Sequence, residues 1–137
     1  MNAVLDSLVA GMPVMLTHFL AAIAIFVLGV FTYSKLTPFH ELELIRQGNS
    51  AAGVSALGAT LGLAIPIAGA LAGSVNLFDL VLWGLAALVV QLLTFVIVAQ
   101  VIRQLVEQIN KGEMASALLL AGVQVSVGLI NAAAVRG

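Results

Sequence analysis

The segment LVLWGLAALVVQLLTFVIVAQVI, residues 80–102, decides the fold. It contains no Asp, Glu, Lys or Arg. A helix rising about 1.5 Å per residue needs roughly 20 such residues to cross a hydrocarbon layer of about 30 Å. Three more stretches, 7–34, 47–78 and 114–135, are equally free of formal charge. The chain therefore reads as an all-α membrane protein with four transmembrane helices, spanning roughly 12–35, 49–73, 77–103 and 114–134.

Composition agrees. Of 137 residues, 62% are hydrophobic and 8% charged, against about 25% charged in soluble domains, and mean hydropathy is +1.19. Water could not solvate this much apolar surface. Net charge is -1 with no basic run, which argues against nucleic acid as a partner. Cysteine is absent, so disulfides and thiolate metal sites are excluded. The start, Met1 to Asp6, lacks a positive n-region, and the apolar run from Gly11 to Tyr33 exceeds a signal-peptide core, so the first span is expected to be retained.

Sliding the chain against itself by 64 positions aligns Leu28 with Leu92, Phe31 with Phe95 and Glu43 with Glu107. The string Glu-x-Ile-x-x-Gly-x-x-Ala stands at 43–51 and again at 107–115 without a gap. The spacing predicts two tandem two-helix repeats, 1–73 and 74–137. Each unit holds two spans, so the copies enter the membrane in the same direction, unlike inverted transporter repeats. Both charged breaks, 37–49 and 103–113, then share one side. Lys35, Arg46, Arg103 and Lys111 flank them, while only Arg136 lies opposite. By the positive-inside rule the breaks are cytoplasmic and both termini periplasmic.

The first break is the densest polar group. His40, Glu41, Glu43 and Arg46, with Glu107 in the second break, are candidate contacts for a cytoplasmic partner docking on 37–49. The plainer alternative is an interfacial helix with Leu42, Leu44 and Ile45 on the lipid surface and its charges among headgroups. His-Glu-x-Glu has no second cluster to complete a coordination shell, so no metal is expected. Gly48-Asn49-Ser50 supplies a turn and an N-cap. Arg103, Glu107 and Lys111 fall at i, i+4 spacing and would line one face if the third helix continued outward. Asp79 suits the positive end of the third helix.

Inside the spans the candidate polar positions are His18, Pro66, Gln91, Gln124 and Asn131. Pro66 has no N–H and frees the Gly62 carbonyl. His18 lies at a similar depth, with either a packing or a relay role. Gln124, Val127, Gly128 and Asn131 share one helical face. Such amides either bind helix to helix or line a narrow path. Small residues at Gly58 and Gly62, Gly69 and Gly73, Gly122 and Ser126, Gly128 and Ala132 form small-x-x-x-small pairs. They make the second and fourth spans the expected central pair, with the bulkier first and third facing lipid or other subunits.

The run from Thr37 to Ala52, TPFHELELIRQGNSAA, followed by Ala64-Ile65-Pro66-Ile67-Ala68, resembles the YjfL-like family of bacterial inner-membrane proteins, domain of unknown function 350. The resemblance covers essentially the whole chain. It implies two copies of a two-helix unit, a bacterial inner-membrane location, no established activity, and membrane maintenance by association. The second copy has Arg103-Gln104-Leu105-Val106 where the first has Phe39-His40-Glu41-Leu42, so a role for His40 and Glu41 belongs to one repeat.

No nucleophile–base pair or phosphate-cradling loop stands out, so neither an enzyme nor a cofactor is expected. The first expectation is a homo-oligomeric structural or interaction component of membrane or envelope maintenance, in contact with lipid. The second is an oligomeric channel or carrier for a small ion or solute, lined by Gln91, Gln124, Asn131 and His18.

Overall fold

The computed structural model describes residues 1–37 and 40–137. Pro38 and Phe39, inside the expected docking segment 37–49, lie outside the described residues. The described chain is all helical: α1 Asn2–Leu36, α2 Glu41–Arg46, α3 Ser50–Gly73, α4 Leu77–Val101, α5 Arg103–Asn110 and α6 Met114–Arg136. Four of these, α1, α3, α4 and α6, are long and apolar enough to cross a membrane.

Helix ends follow local chemistry. Thr37 is extended (φ -74°, ψ 125°), as a residue before proline must be. Its hydroxyl and its N–H both donate to the Tyr33 carbonyl, at 2.6 and 2.9 Å. α2 ends in a Schellman turn: Gly48 at φ +86° donates to Ile45 O, and Asn49 N–H reaches Leu44 O at 2.9 Å. α5 ends in the same way, with Gly112 at φ +84° and Glu113 N–H on Gln108 O at 3.0 Å. Asn49 then caps α3 by accepting from Ala52 N at 3.0 Å, while its amide donates to the Ile109 and Asn110 carbonyls at 3.0 and 3.3 Å. That residue ties the two amphipathic segments together at one end of the bundle. At the other end Asn76 caps α4 through Asp79 N, and the Asp79 carboxylate takes the Val75 N–H at 3.0 Å.

α3 and α6 form the central pair, as the small-residue pattern predicts. They run parallel, with Gly58 beside Ala121, Gly69 beside Ala132 and Gly73 beside Arg136. Contact is backbone to backbone: a Cβ on Gly58 would stand 2.3 Å from Ala121 Cα. Without water to drive association, such close approach is what holds spans together. α1 and α4 wrap outside. Ile25 fits against Gly84, and Tyr33 meets Phe95 edge-on at 4.7 Å between centroids. Their exposed Leu, Val, Ile and Phe side chains face outward, the arrangement that apolar surroundings favour.

Three expectations need correction. α1 begins at Asn2 rather than near residue 12, so its 35 residues reach about 52 Å at 1.5 Å each, longer than the apolar layer. α4 stops at Val101, and Ile102 leaves the helical region (φ -118°, ψ 70°). Arg103 and Glu107 therefore lie on the separate helix α5, with Lys111 at its C-cap. The break lets Leu105 and Ile109 turn inward, where each is at most 2% exposed. Gly122 and Ser126 face away from α3; the α6 residues that meet its glycines are Ala121, Gln124, Gly128, Ala132 and Arg136.

Candidate functional site

Glu41 sits where α1 ends, α2 begins and the first turns of α3 pass. The short helix α2 turns this carboxylate inward while His40, Glu43 and Arg46 stay exposed. Tyr33 donates its hydroxyl to Glu41 Oε1 at 2.8 Å, and Ser55, fully buried on α3, donates to the same oxygen at 3.3 Å. Tyr33 itself is wedged against Phe95. The carboxylate thus joins three consecutive helices. Beside it opens a cleft of about 510 Å³, bounded by α1, α2 and α3.

Desolvation pushes the Glu41 carboxyl above its ordinary 4.5, against the opposing pull of the bonds from Tyr33 and Ser55. The folded chain therefore holds this proton more tightly than the unfolded chain. The stability contributed by the group is complete below the ordinary carboxylate value and is lost as pH rises through the elevated one. In detergent, the denaturant midpoint should fall across that window, and Glu41→Gln should flatten the slope. A midpoint that climbs with pH there, equally in both proteins, contradicts the assignment.

The other candidates separate into two groups. Glu43 accepts from Gln47 Nε2 at 3.0 Å, and Glu107 pairs with Lys111 at 3.0 Å, both on exposed surface. Neither meets Glu41. Of the expected lipid-surface residues, Leu42 and Ile45 are exposed, but Leu44 packs against the core. Glu41 differs from its exposed neighbours: its side chain turns onto Tyr33 and Ser55 and lines the cleft.

The second group lies within the bundle. Gln91 Nε2 donates to Gln124 O at 2.7 Å and to Gln124 Oε1 at 3.1 Å; Asn131 Nδ2 donates to Ala87 O at 2.9 Å. All three amides are buried. Gln91 Oε1 and Gln124 Nε2 have no partner among the described residues. The Gly62 backbone closes on this pair, since a Cβ there would stand 2.7 Å from Gln91 Nε2 and 2.9 Å from Gln124 O. Pro66 is buried one turn further along α3, and Gly128 covers the Gly62 carbonyl that the proline frees. His18 remains on α1, where Nδ1–H donates to Val14 O at 2.8 Å within its own helix. It does not join the amides.

Tyr33 and Ser55 had no functional weight in the sequence. The available signal was that Tyr33, the single tyrosine, stands at the end of a span eight residues before the acidic pair.

Comparison with known proteins identifies the family. The family described as Domain of Unknown Function (DUF350) matches residues 7–135. The chain belongs to this family. It is similar to the UPF0719 inner membrane protein YjfL of Escherichia coli (strain K12), 35% identical over 130 residues that cover 95% of this chain and 96% of the relative. The same figures hold for YjfL of Escherichia coli O157:H7. No solved structure matches. As a DUF350 protein the chain is a multi-pass membrane protein of unknown function, and the resemblance read from residues 37–68 is borne out.

Proposed function

We propose that this DUF350 protein is a structural and interaction component of the bacterial inner membrane, assembled as a homo-oligomer, and not an enzyme. The observation that carries this reading is the use made of its intramembrane amides. Gln91, Gln124 and Asn131 are buried and tied across the α4–α6 contact, and Gly62 closes on the two glutamines, so among the described residues these amides join helices rather than line an opening. Their stabilising role accords with the about 0.6–2 kcal/mol of interhelical hydrogen bonds in lipid.

The inner-membrane location follows the name of the YjfL relatives. A cytoplasmic face carrying α2 and α5, with periplasmic termini, is supported by four of the five basic residues lying at that end. Duplication of a two-helix unit is supported by the matched Schellman turns at Gly48 and Gly112, 64 residues apart, and by the parallel α3–α6 pair. His40, Glu43, Arg46 and Glu107, exposed on that face, are the surface offered to a cytoplasmic partner.

Flux through purified protein in liposomes tests the reading. Wild-type protein, shown to be folded, should pass neither monovalent ions nor protons above background. The double substitution Gln124→Leu, Asn131→Leu should lower unfolding stability by about 1–2 kcal/mol without changing that silence. A specific conductance abolished by the two substitutions would make the protein a channel or carrier instead.

A further inference from the structure

The cleft between α1, α2 and α3 is amphipathic in a particular order. At about 510 Å³ it falls within the roughly 300–1,000 Å³ of small-ligand sites. Val30, Ala59 and Leu63 form its apolar wall, reaching down into the spans. Lys35, His40 and Glu41 occupy its other end, at the last turn of α1 and the start of α2. That is the level at which a bilayer changes from acyl chains to headgroups. Leu42 and Ile45 also line the cleft and are exposed, so its mouth borders the lipid.

The charges choose among lipids. Both bonds that Glu41 accepts end on Oε1, and among the described residues Oε2 accepts none. An anionic headgroup or a fatty-acid carboxylate placed here would meet a like charge. A primary ammonium would instead give the carboxylate a charge-assisted donor. Lys35, its Nζ 5.4 Å from the centre of the Phe31 ring, stands at the same rim as a partner for a phosphate. A molecule that satisfies both charges and also covers the apolar wall is a phospholipid with an aminoethyl headgroup.

We propose that the cleft binds one zwitterionic phospholipid per chain, its ammonium on Glu41, its phosphate beside Lys35 and an acyl chain along Val30 and Leu63. The second half of the chain offers no equivalent. Sixty-four positions after Tyr33, Glu41 and Ser55 stand Ile97, Leu105 and Leu119. Leu105 is 2% exposed and fills the interior with hydrocarbon.

Native mass spectrometry of the delipidated full-length protein tests this, using phosphatidylethanolamine, phosphatidylglycerol of identical acyl chains, and phosphorylethanolamine without chains. Phosphatidylethanolamine should be retained at one molecule per chain, favoured over phosphatidylglycerol by about fivefold or more. Glu41→Gln should erase the preference, and Ala56→Leu, which adds bulk to the α3 wall of the cleft, should block the adduct. Equal retention of the two lipids, or a preference untouched by Glu41→Gln, overturns the proposal. Phosphorylethanolamine binding as tightly as the whole lipid overturns it too, making this a small-amine site. If Glu41→Gln fails to fold, Ala56→Leu decides alone, and a preference that survives in it refutes the site.

Discussion

Gly58→Ala should lower the unfolding free energy of the detergent-solubilised protein by about 3 kcal/mol, while Gly122→Ala should leave it unchanged or raise it by up to about 1 kcal/mol. The two glycines are 64 residues apart and match in the self-alignment, yet their surroundings are opposite. A methyl on Gly58 would lie 2.3 Å from Ala121 Cα and 2.5 Å from its Cβ, and a backbone atom cannot rotate away. α3 and α6 would have to separate, loosening the contact that organises the bundle. A methyl on Gly122 meets nothing within 4 Å. There only the intrinsic preference of a helix for Ala over Gly acts, which favours the variant. Chemical unfolding of both proteins in the same detergent checks the pair. A loss at Gly122 as large as at Gly58 would mean that α6 presents its other face to a neighbour.

That contrast shows what the sequence could reveal. Long charge-free stretches locate spans because lipid tolerates little else, and all four are present. Gly48 and Asn49 could be read locally, since a positive φ and a cap are satisfied within a few residues. The face shared by Gln124, Gly128 and Asn131 was visible in its spacing, and it is the buried one. Of the two small-residue pairs read on α6, Gly128 and Ala132 do meet α3 but Gly122 and Ser126 do not: with 13 glycines, pairs at four-residue spacing arise on several faces, and packing selects Ala121 over Gly122. The break at Ile102 has no Pro or Gly to announce it. It follows from the burial of Leu105 and Ile109, a long-range gain. Glu41 was singled out but its direction was not, because a helix of six residues is too short for a periodicity to orient. Its inward turn depends on Tyr33 and Ser55, which belong to two other helices.

The Glu41 cluster should behave as a unit whose parts cost more to remove singly than together. Tyr33→Phe takes away the 2.8 Å donor and leaves a desolvated carboxylate with only the longer Ser55 bond. Losing a hydrogen bond to a charged group under such burial should cost about 1.5–3 kcal/mol. The carboxyl, with one of the bonds that lower its pKa gone, should also shift further upward, so the variant should lose stability more steeply as pH rises. The combination Tyr33→Phe, Glu41→Leu, Ser55→Ala removes charge and donors together. It should recover wild-type stability or exceed it, since replacing a buried polar group and all its partners by apolar ones of similar shape is close to neutral or favourable. The protein already contains this alternative, in Leu105 packed at the matching point of its second half. Denaturant unfolding of wild type, single and triple variants provides the comparison, and a triple variant weaker than Tyr33→Phe alone would show that the cluster holds the fold together. Recovery of stability, together with loss of the preference for an aminoethyl headgroup, would mean that Glu41 is kept for what it binds, at some expense to the fold.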